Sequence, residues 1–400
     1  NWFYSLIVMA AVLENSPPTK NVFSYALMKD ENGEEMHKSK GNAIWFEEAA
    51  EKMGVDVMRW IFSSQNPASN LNFGYKSGDE TRRQFFIPLW NIYSFFTSYA
   101  IIDKWEPSDS IDTNIPSEEN GFNELDRWAL SELNLLIKNV SKYLDNWQIN
   151  YAVKSIEDYC NLLSNWYVRR SRRRFWKSEN DIYKQAAYST LYECLNKITL
   201  LIAPICPFIS EEIYQNLVAK RNKSNFNSVH LADWPKSNHN LIDQSLSDRT
   251  NLAIKISSLG RSARSNANIK VRQPLKEIIV ELSDKSETLL LPKIKDQLLE
   301  ELNVKNITVV DSESESLITY LIKPNLPKLG PKYGKEINKI KEEITKENPE
   351  KINKILKDKN EVKLGKYTLY NDEIIIETIP KSGLFVASDS NYKVGINPEL

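Results

Sequence analysis

Apolar residues recur with a period near 3.6 between residues 79 and 213, and this periodicity limits what the chain can fold into more than any other feature. The stripes predict helices at about 79–102, 123–146, 150–176 and from Asn180 onward. Pro204 and Pro207 should kink the last of these helices before Ile213, because proline cannot continue the backbone hydrogen-bond ladder. Together the stripes define a helical bundle.

Mixed α/β patterns flank the bundle. Residues 1–43 read as a helix, a strand and a glycine loop, and residues 44–64 as two helical pieces. Gly54 can end the first piece with a left-handed cap, and Asp56 can cap the second. Residues 68–77 read as a loop. The chain is therefore predicted to be mainly α with α/β parts.

A polar loop at about 222–240 separates the bundle from a further pattern. A helix from about 243 to Ala267 is followed by a strand, a helix and two strands, at Glu277–Leu282, Glu287–Leu302, Ile307–Val310 and Leu317–Ile322. Residues 334–358 read as one solvated amphipathic helix, and residues 361–379 and 384–397 as hairpins that turn at 371–372 and 389–391. This part is predicted to be a small α/β domain.

Composition excludes several classes of function. The formal net charge is −1, so no global field attracts nucleic acid and such binding must use a local patch. The cysteines lie in apolar helical patterns without CxxC spacing and the three histidines are scattered, so we predict reduced thiols and no protein-bound metal in this chain. We also expect no membrane-spanning segment, and we expect the apolar start at Trp2–Leu13 to be a buried helix. A cytoplasmic monomer is the expectation.

The ends of the sequence look like cuts. Residue 1 is Asn rather than Met and falls directly inside a predicted helix, and Leu400 follows directly on a strand pattern. We therefore expect this chain to be a fragment of a longer protein.

A lysine-bearing loop follows the predicted strand at about 21–28. It reads Met-His-Lys-Ser-Lys-Gly-Asn over residues 36–42, and Gly33 and Gly41 bracket it. Backbone N–H groups, a helix N-terminus and ammonium groups can converge on an anion at such a junction, so the loop is a candidate phosphate site. Most Lys-Ser-Lys-Gly runs are solvated surface turns, and that alternative stays open from the residues alone.

A second cationic feature lies on the third bundle helix. Residues 165–177 hold five arginines, one lysine and no acidic residue, a formal charge of +6. Either acidic groups elsewhere in the fold neutralise these cations, or phosphates of a nucleic acid do. The neighbouring Trp166, Tyr167 and Trp176 read as core residues or as stacking support for guanidinium groups rather than as platforms for bases.

These stretches resemble class I aminoacyl-tRNA synthetases. Residues 35–39, Glu-Met-His-Lys-Ser, are similar to the Lys-Met-Ser-Lys-Ser signature. Glu35 stands where the signature has its first lysine, and the second lysine is present as Lys38. The isoleucyl branch is resembled most, through the stretches at 163–176, 202–212, 269–275 and 323–335. The run Leu-Gly-Pro-Lys-Tyr-Gly-Lys at 329–335 is typical of that branch.

The resemblance implies a domain plan. Residues 1–77 would be the C-terminal end of a Rossmann-like catalytic nucleotide-binding domain with its stem-contact region. Residues 78–240 would be a helical anticodon-binding domain, and residues 241–400 a truncated C-terminal α/β region that interacts with tRNA. The amino-acid pocket, the editing domain and a His-Ile-Gly-His-type motif would lie outside this chain.

The resemblance also implies residue roles and partners. Lys38 would be catalytic, and Met36, His37, Lys38 and Ser39 would bind ATP, with Lys40 a weaker candidate. The tRNA-binding residues would be Arg169, Arg170, Arg172, Arg173, Arg174 and Lys177. The implied cofactors are ATP and the Mg²⁺ that accompanies it, and the implied partners are isoleucine and tRNA(Ile), with no membrane.

The expected reaction of the parent enzyme is ATP-dependent ligation of isoleucine to its tRNA through isoleucyl-adenylate, and this fragment alone should be inactive. Three alternatives remain at this point. They are a valyl-tRNA synthetase, a non-catalytic tRNA-binding module whose lysine loop is inert, and a nucleotidyltransferase that shares the loop.

Overall fold

The computed structural model describes residues 2–177, 179–220, 226–284, 286–311, 316–389 and 391–398. The chain forms two compact units, residues 1–244 and 245–400. Most elements are helices, and small sheets accompany them, which confirms the predicted fold class. The division into three domains stays a prediction.

The first unit consists mainly of helices. These are α1 (Trp2–Leu13), α2 (Phe46–Met53), α3 (Val55–Ser64), α4 (Tyr75–Thr81), α5 (Ile87–Asp103), α6 (Glu124–Asp145), α7 (Ile149–Leu162), α8 (Arg169–Trp176), α9 (Ile182–Ile202) and α10 (Pro207–Tyr214). Turns of π-helix at Arg82–Phe86 and Leu163–Val168 join α4 to α5 and α7 to α8, so each pair is one continuous helix.

Helix α1 forms where the sequence predicted it, but the expectation that it is buried is wrong. Phe3, Tyr4 and Leu13 are 60%, 71% and 72% exposed. Apolar residues lie on all sides of the helix, so its sequence predicts a helix but does not indicate what the helix packs against.

The predicted strand at 21–28 shortens to β1 (Met28–Lys29), which pairs in parallel with β2 (Leu71–Asn72). Part of the predicted 68–77 loop is therefore strand, and α4 begins within it at Tyr75. A hydrophobic cluster packs α2 and α3 together, and Leu71 of β2 packs against it; its buried members are Ala49, Met53, Val57, Met58, Ile61 and Phe73.

The bundle helices bury the predicted stripes. Phe85, Leu89 and Phe96 on the first helix are at most 3% exposed, and Trp128 and Val140 on α6 are at most 1% exposed. Helix α6 begins at the predicted position because the Asn123 side chain accepts a hydrogen bond from the Asp126 N–H at 2.9 Å.

The continuous helix Tyr75–Asp103 has the length and composition that a membrane span requires, contrary to the expectation that no segment does. Its buried face packs within the bundle. The core helix of a helical bundle meets the same criterion of length and composition.

The predicted kink at Pro204 and Pro207 is a complete break between α9 and α10. Arg59 of α3 donates to the carbonyls of Ile205 at 2.6 Å and Pro204 at 3.0 Å. The Asp56 carboxylate accepts from the Ile209 N–H at 2.7 Å. Asp56 therefore caps α10 instead of its own helix, for which Gly54 is the N-cap residue. Together, Arg59 and Asp56 satisfy backbone carbonyl and N–H groups that the break between α9 and α10 leaves without helical partners.

The second unit mixes helices and strands. Its helices are α11 (Gln244–Asn266), α12 (Leu291–Leu302), α13 (Leu326–Tyr333), α14 (Ile337–Lys346) and α15 (Pro349–Lys359). Its strands are β3 (Leu275–Leu282), β4 (Val304–Asp311), β5 (Ile318–Pro324), β6 (Glu361–Leu364), β7 (Tyr367–Tyr370), β8 (Ile374–Pro380), β9 (Phe385–Ser388) and β10 (Tyr392–Ile396).

The larger sheet of this unit has the strand order β4-β3-β10-β9. β3 and β4 are parallel, with α12 as their crossover helix, and β9 and β10 form the predicted hairpin. The other predicted hairpin is wrong. β6 pairs with β7 around Gly365, whereas β8 pairs with β5, because residues 371–373 form a 3₁₀ turn that carries the chain from β7 to a different partner.

The predicted single helix at 334–358 is two helices, α14 and α15, since Asn348 caps a new helix whose first residue is Pro349. The apolar face of the amphipathic pattern is buried: Ile340, Ile344 and Ile352 are at most 4% exposed. They form one core with Leu329 of α13, a helix that the sequence did not predict.

Candidate functional site

The lysine loop is pinned at its base by one carboxylate. Asp30 directly follows β1, and its Oδ1 accepts from the N–H groups of Asn32 and Glu34 at 2.9 Å each. Its Oδ2 accepts from Asn42 Nδ2 at 2.9 Å, and Asn42 Oδ1 accepts from the His37 N–H at 2.9 Å. The hydrogen bond from Asn42 is the largest cause that lowers the pKa of Asp30. The two ends of the loop are therefore tied together.

Two glycines let the chain turn here. Gly33 has φ +82° and Gly41 has φ +70°, in the left-handed region that glycine adopts without steric cost. Gly41 ends a short 3₁₀ turn, Lys38–Lys40, which forms the exposed tip of the loop.

The predicted nucleotide-binding residues divide between anchor and tip. Met36 is half-buried and packs against the cluster of α2 and α3. His37 Nε2 lies 3.4 Å from a Glu35 carboxylate oxygen. Lys38 and Ser39 are exposed at the tip, so the structure brings these two together where a ligand can reach them.

The Lys38 ammonium rests on an aromatic ring. Its Nζ lies 4.5 Å from the ring centroid of Trp45, which is 54% exposed. Both partners face solvent, so this cation–π contact is weak, about 0.5–1 kcal/mol, and holds the cation without trapping it.

Sequence reasoning missed Asp30, Asn42 and Trp45. The run Asp30-Glu31-Asn32-Gly33 carries a turn signal, an Asx residue that bonds its own backbone two residues on, and it could have identified the pinned base. Nothing in the local pattern marks Trp45 as the resting place of Lys38.

The arginine-rich segment is helical as predicted, and its tryptophan supports two of the arginines. Trp166 is 2% exposed. The guanidinium carbons of Arg170 and Arg169 lie 5.0 Å and 5.8 Å from its ring centroid. Trp166 is thus a core residue that stacks guanidinium groups, while Trp176 is 59% exposed.

Arg174 differs from the other arginines because it points into the bundle. Its Nη1 lies 2.8 Å from Oδ1 of Asp126, a carboxylate that is 0% exposed. Tyr167 donates to the same oxygen at 2.7 Å, and Arg174 Nε donates to the Tyr183 carbonyl at 3.1 Å. Desolvation and these partners act in opposite directions on the guanidinium, and its pKa is raised overall. For Arg174, an acid elsewhere in the fold is the neutralising group.

The remaining cations lie toward solvent. Arg169, Arg172 and Arg173 are exposed and Arg170 is half-buried. Lys177 is also exposed, with its Nζ 3.6 Å from a carboxylate oxygen of Asp181. Phosphates could reach the exposed members of this set, which the sequence predicted as tRNA-binding residues.

The cysteines are buried and unpaired in disulfides. Burial is the largest cause that raises their pKa, to about 12 for Cys194 and higher for Cys160 and Cys206. Among the described residues there is no group of three or more His, Cys, Asp or Glu placed to hold a metal ion.

Comparisons with known proteins match two stretches of the chain to protein families. Residues 1–74 match the family "tRNA synthetases class I (I, L, M and V)", and residues 126–280 match "Anticodon-binding domain of tRNA ligase". The chain is 47% identical over 310 residues to an isoleucine–tRNA ligase of Dehalococcoides mccartyi, a match that covers 77% of this chain and 30% of the relative. It is 38% identical over 405 residues to that of Clostridium tetani, covering 100% of this chain and 38% of the relative.

Among solved structures, the LeuRS–tRNA–LeuAMS ternary complex of Agrobacterium radiobacter K84 matches 60% of this chain and 28% of that chain at 20% identity. The TM-score is 0.46. A likeness this distant assigns neither residues nor function.

The matched families place the chain among the class I aminoacyl-tRNA synthetases. Within that class, it belongs to the isoleucine–tRNA ligase family. The chain spans about a third of the length of the curated relatives it matches.

Proposed function

We propose that the protein to which this chain belongs joins isoleucine to tRNA(Ile) at the expense of ATP. The observation that carries the proposal is Lys38, an ammonium on the exposed tip of a loop whose base is pinned. A fixed base with a short exposed tip lets a single cation move toward a ligand without unfolding the loop.

The first half-reaction would activate the amino acid. A carboxylate oxygen of isoleucine attacks the α-phosphorus of ATP, the bond to the bridging oxygen breaks, and pyrophosphate leaves with the added negative charge. Lys38 would leave the Trp45 ring and neutralise that charge, which is greatest in the transition state, so its contribution falls on the rate more than on binding. Mg²⁺ would arrive with the phosphates of ATP.

The second half-reaction would transfer the isoleucyl group from the adenylate to a hydroxyl of the terminal ribose of the tRNA, with AMP as leaving group. The arginine-rich helix α8 would hold the RNA through its backbone. Arg169, Arg172 and Arg173 are the proposed phosphate contacts. Arg174 is assigned a structural role because Asp126 and Tyr183 occupy its guanidinium.

Two alternatives remain. A valyl-tRNA synthetase would use the same loop and helix. Activation assays with isoleucine and valine, whose side chains differ by one methylene, separate the two enzymes by which amino acid is activated faster. A non-catalytic tRNA-binding module would need the helix but not Lys38. For the 400 residues alone we propose RNA binding without amino-acid activation.

The test of the catalytic role is Lys38→Ala in the intact enzyme, compared with Lys40→Ala, the weaker candidate on the same loop tip. We expect isoleucine-dependent pyrophosphate exchange to fall by at least ~10²-fold for Lys38→Ala, the scale of losing one preorganised charge partner. The KM for ATP should change much less. A near-wild-type exchange rate would remove Lys38 from the mechanism.

The test of the RNA-binding role uses the 400-residue chain and tRNA transcripts. The logarithm of the binding constant should fall linearly with the logarithm of the salt concentration. The double variant Arg172→Ala with Arg173→Ala should make the slope of that line shallower. Binding that does not depend on salt would contradict the phosphate contacts.

A further inference from the structure

The turn between α11 and β3, residues 268–274, carries exposed cations and is here called the basic turn. Lys270, Val271, Arg272 and Gln273 are all exposed. Residues 268–274 contain two basic residues, Lys270 and Arg272, and no acidic one. This surface is more cationic than the net charge of the chain suggests, and neither half-reaction described above uses it.

A buried arginine fixes the backbone of the basic turn. Arg264 of α11 is 1% exposed. Its Nη1 donates to the carbonyls of Lys270 at 3.2 Å and Gln273 at 2.9 Å. Its Nη2 donates to the carbonyls of Leu302 at 2.6 Å and Asn303 at 3.0 Å, at the end of α12. One guanidinium therefore ties the basic turn to two helices.

A second side chain completes the support. Asn303 Nδ2 donates to the Val271 carbonyl at 3.0 Å. The carbonyls of residues 270, 271 and 273 thus all accept hydrogen bonds from the side chains of Arg264 or Asn303. Burial lowers the pKa of Arg264, as expected for a cation whose described contacts are neutral carbonyls. An exposed polar turn does not need such support merely to be soluble.

The cations of the basic turn also differ from others in the second unit. Lys323 lies 2.5 Å from a carboxylate oxygen of Glu377, and Lys366 lies 3.0 Å from one of Glu336. Across the described ranges, Lys270 and Arg272 have neither a carboxylate nor a hydrogen-bond partner for their side chains. Two unneutralised cations are thus presented on a backbone that is held in place.

We propose that the basic turn is a preorganised contact for two phosphates of the RNA backbone, with Lys270 and Arg272 as the contacting residues. The proposal rests on the proposed binding of tRNA and adds a contact outside helix α8. Phosphate contacts fix the position of an RNA without reading its sequence, so the turn would contribute affinity and register rather than base specificity. Arg264 and Asn303 act as positioning residues.

The first experiment measures the salt dependence of tRNA binding to the 400-residue chain. The double variant Lys270→Ala with Arg272→Ala is compared with Lys323→Ala with Lys366→Ala, which removes the same charge from cations that already have carboxylate partners. We expect the slope of log K against log salt to become shallower by about 1.4–1.8 in the first variant, at about 0.7–0.9 for each of two phosphates, and to stay unchanged in the second. Equal slopes in both variants would overturn the proposal, including the case in which the turn serves an acidic protein surface.

The second experiment tests positioning through Asn303→Gly. Asn303 has φ +48°, which glycine tolerates, so this variant removes the amide donor while the backbone keeps its conformation. We expect faster amide exchange at residues 271–273, weaker tRNA binding and an unchanged salt slope. Faster exchange with unchanged affinity would mean that the support is structural only and would overturn the preorganisation.

The two proposals can fail separately. If the wild-type chain binds tRNA without salt dependence, the proposed function fails. If wild-type binding depends on salt and responds to Arg172→Ala with Arg173→Ala, but not to the basic-turn variant, only the inference about the basic turn fails.

Discussion

Replacing Arg174 with methionine should separate a structural arginine from its RNA-facing neighbours. The substitution keeps an apolar stem but leaves Asp126 buried with one cation fewer. Tyr167 and the Asn123 N–H still donate to the carboxylate, at 2.7 Å and 2.9 Å, and neither carries charge. Removing one partner of a buried ion pair costs about 3–5 kcal/mol. The Arg174 side chain is 14% exposed, so we expect the lower end, about 3 kcal/mol.

Urea unfolding followed by tryptophan fluorescence measures this loss directly. All ten tryptophans lie between residues 2 and 234, so fluorescence reports the first unit alone. With a urea dependence of about 2–3 kcal/mol per molar, a loss of about 3 kcal/mol lowers the midpoint by about 1–1.5 M.

Arg172→Met is the matched control, because Arg172 is exposed on the same helix. Its free energy of unfolding should lie within about 0.5 kcal/mol of that of wild type. Adding Asp126→Asn to Arg174→Met should restore part of the stability, since no buried charge is then left without a partner. Equal midpoints for Arg174→Met and Arg172→Met would refute the reasoning.

Three further outcomes are expected. Trp45→Leu in the intact enzyme should raise the activation rate by at most about fivefold, the equivalent of releasing Lys38 from a contact of about 0.5–1 kcal/mol, and a tenfold fall would contradict the resting role of Trp45. The pKa of Asp30 is lowered in the folded protein, so its contact with Asn42 is fully present above the free aspartate pKa of about 3.9 and is lost as the pH falls through the lower pKa of the folded state. A carboxyl NMR titration of Asp30 with a midpoint above about 3.9 would contradict this. Native protein at pH 8 should not react with a thiol reagent until denaturant is added, because burial raises the pKa of its thiols, those of Cys160, Cys194 and Cys206.

The sequence predicted those elements whose signal is local. Helix α6 has its stripe and its capping residue in one continuous stretch, and it was predicted to within one residue at each end. The hairpin of β9 and β10 likewise has its turn between its strands. In both cases the information that defines the element lies within it.

The wrong predictions concern long-range partners. β8 pairs with β5, more than fifty residues earlier, and no pattern within 361–379 could indicate that choice. Asp56 has the sequence of a cap for its own helix, but its carboxylate contacts a helix some 150 residues away. The burial of Arg174 has the same origin, because its partner Asp126 is 48 residues away and the arginine-rich stretch 165–177 itself holds no acid.

The same difference between local signals and long-range partners applies to the lysine loop and to the arginine-rich helix. Lys38 could be found because the loop has a local signature, whereas its contact with Trp45 depends on side-chain directions that only the folded loop sets. The arginines could be found as a set, but their division into an internal member and exposed ones required the packing of α8 against α6.

The hydrogen bonds from α3 to the break between α9 and α10 have a practical consequence for anyone who prepares a truncated form of the protein. Arg59 and Asp56 lie before residue 78, and the carbonyls and N–H groups that they satisfy lie after residue 203. Expressing the bundle from residue 78 onward would strip those backbone groups of their partners and uncap a helix at its amino end. A truncation intended to isolate RNA binding should therefore start upstream of α3.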